Sequence, residues 1–133
     1  MANTTFTGPV RSQNGFQSVT VSSTTGAVTV NSSFGKDVVL STQSLSGAGA
    51  VNVTDAFTSL TTTGAAQALT LANASVGEVK VIVHTVDGGS AVLTPTTKIG
   101  FSTITFTNVG DAVTMIYTAA GWAIIGSRGV TIA

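Results

Sequence analysis

The sequence predicts an all-β fold, an antiparallel β-sandwich or barrel built from hairpins, with an extended N-terminal arm. Two β-branched residues dominate it, 24 Thr and 18 Val among 133 residues, and both suit a pleated, half-buried surface. Apolar and polar residues alternate with period two from end to end, as strands buried on one face require. Gly, Asn, Asp and Ser interrupt those runs at intervals of roughly 8–12 residues, the rhythm of a sandwich or barrel.

Residues 1–15 show no clear strand, and Gly8 and Pro9 break pairing there. They predict an arm ahead of a single β domain, 16–133. Segments 18–22 and 27–31 alternate cleanly around Ser23-Thr24-Thr25-Gly26 and predict a hairpin. Further strands are expected at 37–40, 50–54, 57–61 and 68–71, with connectors such as Ser44-Leu45-Ser46-Gly47-Ala48-Gly49. Only 67–76 could hold a short helix. A soft boundary at 72–77 separates a Thr/Ser/Gly/Ala-rich part from a more apolar one, so the domain can comprise two lobes, 16–76 and 77–133.

The strongest strand is 78–86, where Val79, Val81 and Val83 form one face and Lys80, Ile82 and His84 the other. The valine face is assigned to the core, together with Ile104, Phe106, Val113, Met115 and Trp122. Asp87-Gly88-Gly89-Ser90 reads as a hairpin turn into 91–94, and Pro95 ends that strand because it has no N–H for the ladder. Strands at 103–107, 112–118, 122–125 and 130–132 follow, with turns at 108–111, 119–121 and 126–129. Gly-Ala followed by alternating residues recurs at Gly26, Gly49 and Gly64, at spacings of 23 and 15 residues. A solenoid needs one fixed period, so these read as similar hairpins.

Composition bounds the function. Five basic and five acidic residues give zero formal net charge, and charged side chains are 8% of the chain, against about 25% in ordinary domains. That excludes a dominant basic patch for nucleic acid, and 43% hydrophobic residues argue against disorder. The chain has no cysteine, hence no disulfide, thiolate nucleophile or Cys-based metal site. The start has neither the basic nor the apolar region of a signal peptide, and no run approaches the ~18 apolar residues of a membrane helix. A mean hydropathy of +0.48 with so few charges predicts a surface meant to be covered, as in a subunit of a larger assembly.

Searches for chemistry return little. Nucleophilic catalysis needs a base beside the nucleophile, and His84 is the sole histidine; it reads as a sheet residue, partly exposed or hydrogen-bonded. Asp37, Asp55, Glu78, Asp87 and Asp111 are scattered singly, mostly at turns, where aspartates commonly bond their own backbone. There is no phosphate-binding glycine loop. Trp122 and Tyr117 can form a glycan platform or anchor the core of the C-terminal hairpin; their apolar neighbours favour the core. No cofactor and no metal are expected.

Two stretches carry a resemblance. One is Met1-Ala2-Asn3-Thr4-Thr5-Phe6-Thr7-Gly8-Pro9-Val10-Arg11-Ser12-Gln13-Asn14-Gly15-Phe16. The other runs from Gly77-Glu78-Val79-Lys80 through Asp87-Gly88-Gly89, Thr103-Ile104-Thr105-Phe106 and Val109-Gly110-Asp111-Ala112-Val113-Thr114 to Gly121-Trp122-Ala123-Ile124-Ile125-Gly126-Ser127. Together they resemble small β-rich virion structural proteins of tailed bacteriophages, of the marine and cyanobacterial phage type. The resemblance covers the first sixteen residues and the last fifty-five or so.

It implies a non-enzymatic capsid decoration (cement) protein, made in the host cytoplasm, which binds the outer surface of the head as a homotrimer. Its partner would be the major capsid protein, with no nucleic acid and no membrane. The same group includes head fibres and tail appendages, so a receptor- or glycan-binding knob is the alternative, with Tyr117 and Trp122 as its glycan contacts. For decoration, the candidate capsid contacts are Phe6, Pro9, Val10 and Arg11, on an arm that orders on its partner.

Overall fold

The computed structural model describes residues 16–34 and 39–133. All regular structure among them is β, as expected. The chain divides into two compact units, 1–39 and 40–133. The first contains the expected hairpin, with β1 (Phe16–Val21) antiparallel to β2 (Val28–Phe34). Its turn is closed by bonds from Ser22 N–H to Ala27 O (2.8 Å) and from Gly26 N–H to Ser22 O (2.9 Å). The expected arm, with Phe6, Pro9, Val10 and Arg11, lies outside the described residues, as does part of the strand expected at 37–40; Val39 and Leu40 are not in a strand.

The second unit holds ten strands: β3 (Thr42–Ser46), β4 (Gly49–Val51), β5 (Phe57–Thr61), β6 (Gln67–Leu71), β7 (Val79–Val86), β8 (Ala91–Pro95), β9 (Ile104–Phe106), β10 (Ala112–Thr118), β11 (Gly121–Arg128) and β12 (Thr131–Ile132). They form two five-stranded sheets, ordered β11-β10-β7-β5-β3 and β12-β9-β8-β6-β4. One apolar core joins them: Leu60, Ile82, Val113, Met115 and Trp122 from the first sheet, Val51, Leu69, Leu71, Leu93, Ile104 and Phe106 from the second. The arrangement is sandwich-like.

The antiparallel hairpin plan holds for only part of it. β3, β5 and β7 run parallel to one another, and so do β4, β6 and β8. From β3 to β8 the chain alternates between the two sheets, so each Gly/Ser connector is an arch across the core instead of a hairpin. Three coils result: β3–β4, β5–β6 and β7–β8. Asp87-Gly88-Gly89-Ser90, expected as a hairpin turn, is one such arch. Hairpin connectivity returns at β8–β9, through a longer loop, and at β10–β11, through Ala119 and Ala120.

The solenoid character excluded by the Gly-Ala spacing is therefore present, with unequal coils. Phe57 faces Val81 and Leu69 faces Leu93, both 24 residues on. Thr42 faces Phe57 only 15 residues on, and Gly49 faces Leu69 at 20. Arches of different length absorb the difference, so the period is invisible in the sequence. Two further expectations change. Thr42–Ser46, read as part of a connector, is a strand, and 67–76 holds β6 and a loop with no helix. The loop at 72–77 is sewn into the second unit: Trp122 Nε1–H donates to Ala72 O (2.9 Å) and Gly77 N–H to Tyr117 O (2.8 Å).

The largest correction concerns β7. Lys80, Ile82 and His84 face the core, fully buried, whereas Val79, Val81 and Val83 face outward, Val79 being 44% exposed. Residues directly opposite on neighbouring strands share a face. Val113 and Met115 of β10 point inward and lie opposite Ile82 and Lys80, which fixes the phase of β7. Ile104, Phe106, Val113, Met115 and Trp122 occupy the core as expected.

Candidate functional site

The phase of β7 leaves the β11-β10-β7-β5-β3 sheet with a centrally apolar outer face of very low charge. Its middle carries Phe57, Val79, Val81, Val83, Ala112 and Ile116, from β5, β7 and β10. Across the sheet, Phe57 lies beside Val81 and Val81 beside Thr114; Ile116 lies between Val79 and Ala123. Toward the β3 edge the face turns to Thr42, Ser44 and Ser46. Its one charged strand residue is Arg128, opposite Ala112 at the rim. A bulge in the β10–β11 ladder at Thr114/Met115 opens a shallow depression of about 250 Å³ there, lined by Ala112, Thr114, Gly126, Ser127 and Arg128.

Beneath that sheet lies a buried polar cluster at one end of the core. Thr62 Oγ1 is 3.0 Å from His84 Nε2 and 3.0 Å from Gly89 O, and it accepts from Gly88 N–H at 2.9 Å. A hydroxyl has one proton. Given to the Gly89 carbonyl, it leaves Oγ1 to accept from His84, which places a proton on Nε2. His84 Nδ1 is buried without a hydrogen-bond partner. The ring is fully buried, so no solvent-borne substrate reaches either nitrogen.

Asp111 sits beside this cluster. Its Oδ2 accepts from Thr107 N–H (2.7 Å) and Asn108 N–H (2.9 Å), closing the arch between β9 and β10. Burial works to raise its pKa. The two N–H bonds, the His84 ring and the Thr107 hydroxyl outweigh that, and hold the carboxyl below its usual 3.8.

At the other end of β7, Lys80 Nζ donates to Asp55 O at 2.5 Å. Burial lowers its pKa from 10.5 to about 8, with the Asp55 charge pulling the other way. The remaining described acids serve their own loops. Asp55 Oδ2 accepts from Asn52 Nδ2 (2.8 Å), Glu78 Oε2 from Ser75 N–H (2.9 Å), and Asp87 Oδ1 from Gly89 N–H (2.8 Å). Among the described residues no three His, Cys, Asp or Glu side chains gather within reach of one metal ion.

Of the alternative glycan contacts, Trp122 is 1% exposed and donates its indole N–H to Ala72. Its ring meets Tyr117 edge to face, centroids 5.2 Å apart, and offers no free face to a sugar. Tyr117 is half-buried. Sequence reasoning missed the outer face because it placed the same valines inside. The signal that could have found it is the neighbouring strand: Val113 and Met115 can face inward only if their opposite residues on β7 do too.

No protein-family model matches the chain, and no curated protein matches it in sequence. What the residues define is a class of object, an all-β fold with one sheet face that is apolar at its centre and carries a single charged strand residue.

Proposed function

We propose that the chain is a non-enzymatic structural subunit of a phage virion, a capsid decoration protein that binds the outer face of the head shell and stabilises it. The supporting observation is the outer face of the β7 sheet, where Phe57, Val79, Val81, Val83 and Ile116 surround a region with a single charged strand residue. Open sheets normally turn polar residues to water, and a sheet apolar on both faces calls for a cover. A cover made of the major capsid protein involves few ion pairs to desolvate. A ligand that binds only the expanded shell stabilises that shell by mass action. The homotrimer and the location on the head remain what the sequence resemblance implies.

The test is to count the chain in purified virions and to measure its binding to expanded and unexpanded shells. Decoration requires hundreds of copies per head and preference for the expanded form. Val81→Lys should abolish binding while leaving the β domain folded, because Val81 contributes to the outer face and not to the core. A few tens of copies or fewer, with binding to host glycans, would overturn this reading in favour of a fibre or tail knob.

A further inference from the structure

Four strand edges terminate the two sheets of the 40–133 unit, and three of them are guarded. At β11, Thr97 O and Ile99 N–H bond Trp122 at 3.0 Å each, the ladder bulges in the middle, and Arg128 stands at the end. β12 is two residues long. At β4 the Gln43 side chain acts as a substitute strand: Nε2 donates to Ala50 O (2.9 Å) and Oε1 accepts from Asn52 N–H (3.0 Å). Bulges, short strands, charges and covering groups are the usual means of blocking edge-to-edge pairing. Among the described residues, β3 has none of them. Thr42-Gln43-Ser44-Leu45-Ser46 contains no charge, no proline and no bulge.

The hydrogen-bond phase shows what this edge presents. Phe57 N–H donates to Ser41 O and Gly47 N–H to Thr61 O. In a parallel ladder alternate residues bond to one neighbour, so the odd-numbered residues of β3 face β5. Thr42, Ser44 and Ser46 therefore direct their N–H and C=O groups away from the sheet. Their side chains, exposed, stand on its outer face.

We propose that β3 is an interface for a second copy of this chain, with the two β3 strands antiparallel about a two-fold axis at Ser44. The self-complementarity of the edge selects this occupant. Three outward residues centred on Ser44 let Ser44 face Ser44 of the second copy, and Thr42 face its Ser46. Every outward N–H and C=O of both strands is then used, and the five-stranded sheets become one of ten. The facing side chains are all hydroxyls, and two copies of a chain with zero net charge do not repel each other. This contact is isologous and closes at two. It is separate from the three-fold association above and does not depend on the virion reading.

The test is sedimentation equilibrium at micromolar concentration. The expected result is a species of twice the chain's 13.2 kDa. Ser44→Lys places like charges face to face and should give a monomer with an unchanged circular dichroism spectrum. So should Ser44→Pro, which removes an outward N–H and no bond to β5. Mixing Ser44→Lys with Ser44→Glu should restore a dimer, a rescue that works only if the two positions meet. Amide exchange at Thr42, Ser44 and Ser46 should slow as concentration rises. A wild-type monomer, or an oligomer that Ser44→Lys leaves intact, overturns the proposal; a trimer insensitive to Ser44→Lys would leave the decoration reading standing without it.

Discussion

Thr62 Oγ1 lies 3.0 Å from His84 Nε2, 22 residues apart in sequence and buried together in the core. The same hydroxyl holds both glycines of the arch that follows β7, through Gly88 N–H and Gly89 O. One side chain thus orients a histidine ring, ties β5 to β7 and fixes where the chain crosses to the other sheet.

Replacing Thr62 with Val keeps the shape and removes three hydrogen bonds. The buried His84 Nε2 and the half-buried Gly89 O then lose a partner, at ~1–3 kcal/mol for each that water cannot reach, while the exposed Gly88 N–H can turn to water. Urea unfolding of Thr62→Val should show a loss of ~2–4 kcal/mol. A change under ~0.5 kcal/mol would mean that the network does not hold the arch.

Gly89 has φ +142°, and a Cβ there would lie 2.4 Å from the Gly64 backbone; Gly77, at φ +94°, has open space around it. Both substitutions by Ala carry the backbone cost of ~1–2 kcal/mol, but only Gly89→Ala adds a clash with main chain that cannot swing away. Its melting temperature should fall well below that of Gly77→Ala.

Asp111 gives the fold an acid limit. Its folded pKa lies below the ordinary 3.8, so its contribution is complete above that value and is lost as pH falls through the folded one. The urea midpoint of the wild type should drop between about pH 5 and pH 2. Asp111→Asn should be less stable at neutral pH and show a shallower drop.

Lys80 works in the opposite sense. Its folded pKa of about 8 lies below the 10.5 of the free side chain, so the unfolded chain binds more protons between those values and stability rises with pH there. The cost of burying the ammonium is fully present below about 8. Lys80→Met should flatten that alkaline rise and stabilise the protein at pH 7 by roughly 1–3 kcal/mol. An unchanged slope would place the alkaline titration elsewhere.

Phe106 sits in the centre of the core, fully buried on β9 opposite Ala91. Phe106→Ala should cost ~3–5 kcal/mol in chemical denaturation.

Strand positions were legible because the period-two pattern reports local backbone geometry. Phe57–Thr61 and Ala112–Thr118 match their expected spans to the residue. The chirality-free information in a turn is weaker. Ser-Gly or Gly-Gly marks a reversal, but the same residues serve a hairpin within one sheet and an arch between two. Asp87-Gly88-Gly89-Ser90 was read as the first and is the second. The β3 strand was hidden for a related reason. Its Ser and Gly residues look like a loop, and only the ladder supplied by Phe57–Thr61 makes it a strand.

By itself the sequence determined an all-β chain of low charge, the places of most strands, and five of the large side chains in the core. Those properties follow from residue-by-residue preferences for pleated backbone and for burial. Only the tertiary structure decided the parallel coils, the inward turn of Lys80 and His84, and the outward turn of Val79, Val81 and Val83. Hydrophobicity alone ranks the valine face above a face holding a lysine and a histidine. Asp55 O and Thr62 Oγ1 offset part of the cost of burying Lys80 Nζ and His84 Nε2, and Val113 and Met115, inward on β10 opposite Ile82 and Lys80, require that phase. Which partners stand opposite is a property of strand order, and strand order is set by contacts distant in sequence.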